Sequence, residues 1–118
     1  MSEDKQVWVI DSEEIENKIR SALSQIPEAR VIGFRNVSYA VDILRKGRKP
    51  WLILGNHHSA DAVLEVTHQK SKYAGISTAY ISVLDLSMMA KSHGAGYIRL
   101  DEKGNLDGLA DYVRKRLG

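Results

Sequence analysis

The sequence predicts a single α/β domain of (βα)5 type, with a five-stranded parallel sheet carrying helices on both faces. Three observations predict it. Short apolar, β-branched runs alternate five times with segments whose apolar residues recur at helical spacing, and no internal repeat, linker or low-complexity stretch interrupts them. A strand and crossover helix repeated in this way build a parallel sheet between helical layers. At 118 residues and 43% hydrophobic, the chain fills one core and is too small for two, so residues 1–118 are expected to form one domain.

The elements follow in order. Val7 to Ile10 is a short β-branched and aromatic strand, and Ile15, Ile19, Ala22, Leu23 and Ile26 then trace a helix capped by Asp11 or Ser12 and ended by Pro27. Val31 to Phe34 is the second strand. Asn36 caps a helix with Val37, Ala40, Val41 and Leu44 on one face, closed by Gly47. Trp51 to Leu54 is the third strand, followed by a helix from about Ser59 to Ser71. Ile76 to Val83 is the fourth strand, and Asp85 caps a helix that turns Leu86, Met89 and Ala90 inward and Met88 outward. Tyr97 to Leu100 is the fifth strand, and Asn105 caps a last helix bearing Leu106, Leu109, Ala110, Val113 and Leu117.

Composition narrows the function. Charged residues are 27% of the chain and well mixed, with a net charge of +2, so direct nucleic-acid or anionic-membrane binding is not expected. The basic clusters Arg45 to Lys49 and Arg114 to Arg116 fall at helix ends, where the dipole favours cations. Without cysteine there is neither a disulfide framework nor a thiolate metal site. The polar start MSEDKQ and the absence of any membrane-length apolar run lead to the expectation of a cytoplasmic protein.

In a parallel sheet of this kind, functional residues stand just past the C-terminal ends of the strands. Those positions are Asp11 and Ser12 after the first strand, Asn56 after the third, Ser82 at the end of the fourth, and Leu100 with Asp101 after the fifth. In order and spacing, VWVIDSE, KPWLILGN and HGAGYIRL resemble the receiver domain of two-component response regulators over nearly the whole chain. The resemblance implies the flavodoxin-like, receiver-like version of the fold. It also implies an acidic pair holding magnesium, an aspartate that accepts a phosphoryl group, a hydroxyl ending the fourth strand, a lysine after the fifth, and a switching aromatic on the fifth.

Carried over residue by residue, the resemblance breaks where the chemistry would occur. Asp11 matches the first acid, but Ser12 replaces the second, removing a hard anionic magnesium ligand. Asn56 stands at the phosphoacceptor, and a carboxamide does not take a phosphoryl group. Leu100 stands at the lysine and Asp101 at the proline that commonly follows it. Ser82 suits the hydroxyl and Tyr97 the aromatic; ending the fourth strand at Thr78 would give Thr78 the hydroxyl role instead.

The expectation is therefore a pseudo-receiver, not an enzyme, using no cofactor, with magnesium bound weakly or not at all. It would act by phosphorylation-independent binding to a protein partner, or as the regulatory domain for an attached output domain. Tyr97 and Met88 would lie on a face formed by the fourth helix, fifth strand and fifth helix, which the resemblance makes a surface for partners or for a homodimer. One alternative is a metal-binding sensor or enzyme using His57 and His58, expected in a loop where neighbouring side chains diverge. Another is an active receiver that uses an unusual acid such as Asp61. His68 and His93 read as partly exposed helix residues.

Overall fold

Val7 and Val9 point to one side of the first strand and Trp8 and Ile10 to the other, and all four are buried. A strand buried on both faces needs helices above and below it, and the computed structural model shows that arrangement for residues 5–69, 71–101 and 103–117. The elements are β1 Lys5–Ile10, α1 Glu13–Ala22, β2 Ala29–Phe34, α2 Val37–Arg45, β3 Leu52–Gly55, α3 His57–Thr67, β4 Ser77–Ser82, α4 Ser87–Ser92, β5 Gly96–Leu100, β6 Leu106–Asp107 and α5 Leu109–Leu117, with a 3-10 turn at Ser71–Tyr73. The sheet order is β2-β1-β3-β4-β5-β6. The first five strands run parallel and β6 pairs antiparallel with β5. The expected single (βα)5 domain is therefore present, with a two-residue strand added at one edge.

On one face, Val7, Val9, Leu52, Leu54, Ala79, Ile81 and Ile98 pack against Ile19 and Leu23 of the α1 segment and Leu109 and Val113 of α5. On the other, Trp8, Ile10, Phe34 and Ile53 meet Ala40, Leu44 and Val63 of α2 and α3. A smaller cluster of Ala60, Leu64, Tyr80 and Ala90 joins α3, β4 and α4. The strand order reverses direction between β1 and β3, which places Asp11 and Asn56 on neighbouring strands at the point where such sheets open a crevice.

The structure corrects three local expectations. First, α3 begins at His57 rather than near Ser59, because Asn56 itself is the N-cap. Second, Leu106 belongs to β6, not to the last helix. Asp101 Oδ1 accepts from the amides of Lys103 (2.9 Å) and Asn105 (2.7 Å), building a tight turn that lays Leu106 opposite Leu100. Gly108, at φ +77, then turns the chain into α5. Third, Asp85 lies one residue ahead of the cap position of α4, which is Leu86 and has no side-chain cap; Asp85 Oδ1 instead accepts from the Ser87 amide at 3.0 Å. In keeping with the expected strand over Ile76 to Val83, β4 runs through to Ser82, and Thr78 is buried within it, opposite Ile53.

Candidate functional site

At the C-terminal edge of the sheet, Ser12 and Asn56 carry out the same local task. Ser12 Oγ accepts from the Ile15 amide at 3.3 Å and caps α1. Asn56 Oδ1 accepts from the Ser59 amide at 3.0 Å and caps α3. Each satisfies a backbone donor that has no partner within its own helix.

Asp11 lies between them. Its Oδ1 accepts from the Ser12 amide at 2.7 Å, and Arg35 Nη1 donates to its backbone carbonyl at 3.3 Å. Burial pushes the Asp11 carboxyl above its ordinary value, opposed by the Ser12 amide, the Asn56 side chain and the Arg35 charge. Arg35 in turn pairs with Glu16 Oε1 at 2.8 Å, and Arg20 holds the other oxygen of Glu16 at 2.8 Å. The Arg20 bond foremost lowers the Glu16 pKa; burial opposes it, and the Arg35 bond and the two guanidinium charges add to the lowering. Gly33 makes room for this group, since a Cβ there would collide with the Glu16 carboxylate.

The remaining pocket positions are equally occupied. Ser82 Oγ accepts from the Leu84 amide at 3.1 Å. Leu100 packs on the main core beside Leu106, so an apolar contact stands where the resemblance calls for a cation. The carboxylate of Asp101 is engaged in the β5–β6 turn. Tyr97 is turned toward the β4–α4 loop, its hydroxyl donating to the nearer carbonyl, that of Leu84 (2.5 Å), with the carbonyl of Ser82 also within reach at 3.2 Å. Beside it, Val83, Leu84 and Met88 are exposed, Met88 by 86%.

A second polar group lies between α3 and α4. His57 and His58 occupy the first turn of α3 rather than a loop, with rings stacked 5.3 Å apart and 12° from parallel. His57 Nε2 lies 2.9 Å from Asp61 Oδ2, one helical turn on. Asp61 Oδ1 accepts from the Tyr80 hydroxyl, which also lies 2.8 Å from His93 Nδ1. Burial foremost, and the hydrogen-bonded Asp61 carboxylate next, push the Tyr80 pKa upward, so the phenol keeps its proton. Asp61 thus serves a side-chain network. Among the described residues no three His, Asp or Glu side chains stand close enough to hold a metal ion. Nor is any described helix long and apolar enough to cross a membrane.

Sequence reasoning placed Asp11, Ser12, Asn56, Ser82 and Leu100 near one sheet edge but missed Arg35, Tyr80 and the part played by His93. The signal for Tyr80 was slight, a tyrosine among small and β-branched residues of the fourth strand.

The fold is that of response-regulator receiver domains. A response regulator of Thermotoga maritima superposes with a TM-score of 0.73 at 24% identity, covering 95% of this chain and 96% of that one. A LuxR family DNA-binding response regulator of Silicibacter pomeroyi gives 0.70 at 19% identity, covering 93% and 88%. A chemotaxis response regulator of Vibrio cholerae gives 0.71 at 15% identity, covering 96% and 98%. No family model and no curated protein matches the chain.

Proposed function

We propose that this is a receiver-like signalling domain whose phosphoacceptor position is filled by Asn56, and that it acts without phosphorylation. It does so by binding a protein partner or by regulating an attached output domain. The observation that carries the reading is the state of Asn56: its side-chain oxygen is committed to the Ser59 amide and its carboxamide sits against Asp11. A neutral amide has no oxygen nucleophilic enough for phosphoryl transfer.

The neighbouring positions support it. An N-cap is served equally well by Asp, Asn or Ser, so the fold places no demand for a carboxylate at residue 12 or 56. The loss of carboxylates there therefore bears on chemistry rather than on folding. A magnesium ion needs several hard oxygen ligands, and the one acid that remains, Asp11, is biased by burial toward its neutral form. Leu100 offers the core a side chain where a phosphoryl group would need a cation. The working surface in this reading is the exposed apolar group Val83, Leu84 and Met88 beside Tyr97, a composition suited to a protein partner. The domain has no catalytic step of its own.

The test is the backbone amide spectrum with and without beryllofluoride and magnesium. The expected result is an unshifted spectrum. Shifts centred on Asn56 and Tyr97 would overturn the reading.

A further inference from the structure

Helix α4 is held at both ends by tyrosine hydroxyls that come from different strands. At its N-terminal side, the Tyr97 hydroxyl of β5 donates to the Leu84 carbonyl and lies within reach of that of Ser82. At its C-terminal side, Tyr80 of β4 meets His93, the C-cap residue of α4. The other anchors of the helix are apolar: Ala90 lies in the cluster of Ala60, Leu64 and Tyr80, and the partly buried Leu86 and Met89 pack against that cluster. The helix is six residues long, its cap position has no side-chain hydrogen bond, and Ala90 is its one buried residue among those described. A helix that short owes its stability to tertiary contacts.

The donors and acceptors give the C-terminal contact a direction. A phenol has one proton to give. Tyr80 gives it to Asp61, so its oxygen is left as an acceptor and His93 presents Nδ1–H to it. The second oxygen of Asp61 takes the Nε2–H of His57. The chain therefore runs from His93 through Tyr80 to Asp61, which His57 holds from the other side and His93 Nδ1 also approaches at 3.6 Å, and it calls for a proton on His93 Nδ1 and on His57 Nε2. Its carboxylate, hydroxyl and imidazole lie on three elements, α3, β4 and the end of α4. A groove of about 410 Å³ lined by Asp61, Leu64, Glu65, His68, Ser92 and His93 opens beside it.

We infer that the Asp61–Tyr80–His93 chain is a latch that sets the position of α4. The placement of the Val83, Leu84 and Met88 surface is then governed from the groove between α3 and α4, not from the sheet-end crevice capped by Asn56. The latch stands on its own geometry; only its standing as the controlling contact rests on the phosphorylation-independent reading above.

Amide hydrogen exchange on the full chain tests it, comparing wild type with His93→Ala, Tyr80→Phe, the double variant and Asn56→Asp. His93 is 44% exposed, so its truncation leaves the core intact and that variant decides the matter even if Tyr80→Phe folds poorly. His93→Ala and Tyr80→Phe are expected to speed exchange of the Ala90 and Lys91 amides about tenfold, with β1 and β3 amides unchanged. The double variant is expected to be no faster than the faster single one, since both cut the same chain. Asn56→Asp is expected to leave α4 exchange as in wild type. Unchanged α4 exchange in His93→Ala would overturn the latch. Equal acceleration by Asn56→Asp would overturn its independence from the crevice, and neither result depends on whether the domain accepts phosphate.

Discussion

The crevice at the sheet edge and the groove between α3 and α4 both hold polar side chains, but they use them differently. In the crevice, Ser12 and Asn56 are bonded to backbone amides of the helices they precede. In the groove, His57, Asp61, Tyr80 and His93 are bonded to one another across three elements. A cap is interchangeable among small polar residues, whereas a chain of matched donors and acceptors is not. The crevice can therefore change its chemistry at little cost to the fold, and the groove cannot.

The largest test of that contrast is at Tyr80, whose ring is fully buried. Tyr80→Ala is expected to cost about 3–5 kcal/mol in denaturant unfolding, chiefly through the cavity it leaves. Tyr80→Phe keeps the ring and should cost about 1–2 kcal/mol, the value of its hydroxyl bonds. A cost-free Tyr80→Phe would remove the energetic distinction between the two regions.

In the crevice, Asn56→Ala is expected to cost about 1 kcal/mol and Asn56→Ser only a few tenths, because serine restores the cap. If both cost the same, Asn56 has a task beyond capping.

A smaller effect with a definite sign is expected at Asp11. Its folded pKa is raised above the unfolded value of 3.8, so the charged form is penalised in the folded state. Its contribution is most favourable below the unfolded pKa and is lost as pH rises through the folded one. Asp11→Asn should therefore raise the melting temperature modestly at pH 7, with the gain fading as pH falls toward 4. Glu16 should behave oppositely: its pKa is lowered, so its contribution is present above 4.5 and lost as pH falls through the folded value. A melting temperature for Asp11→Asn below that of wild type at pH 7 would mean that the carboxylate's bonds to the Ser12 amide and Asn56, with its attraction to the Arg35 charge, outweigh burial. The smallest effect is expected at Met88, where Met88→Ser should change stability by no more than about 0.5 kcal/mol, leaving any loss of partner binding attributable to the surface.

The parts of the molecule that the sequence made legible are those governed by local periodicity. The strand at VWVI, the caps at Asp11 or Ser12 and at Asn36, and the outward turn of Met88 each follow from spacing within one element. The groove did not show, because Tyr80 lies 19 residues from Asp61 and 13 from His93, and only the packed sheet brings them together. The nearer pair, His57 and Asp61, was hidden by starting the third helix two residues late, which left the histidines in a loop. Strand β6 was missed because Leu106 also fits the apolar spacing of the helix after it. Gly104 and Gly108, both at positive φ, were the available sign that the chain turns twice there first.

The central claim, that the crevice is chemically silent while the groove holds α4, is tested most directly by amide spectra of wild type and His93→Ala with and without beryllofluoride and magnesium. The account predicts no beryllofluoride shift in either protein, and shifts across α4 and the β4–α4 loop on going from wild type to His93→Ala. Beryllofluoride shifts at Asn56 and Tyr97, with α4 indifferent to the loss of His93, would contradict it.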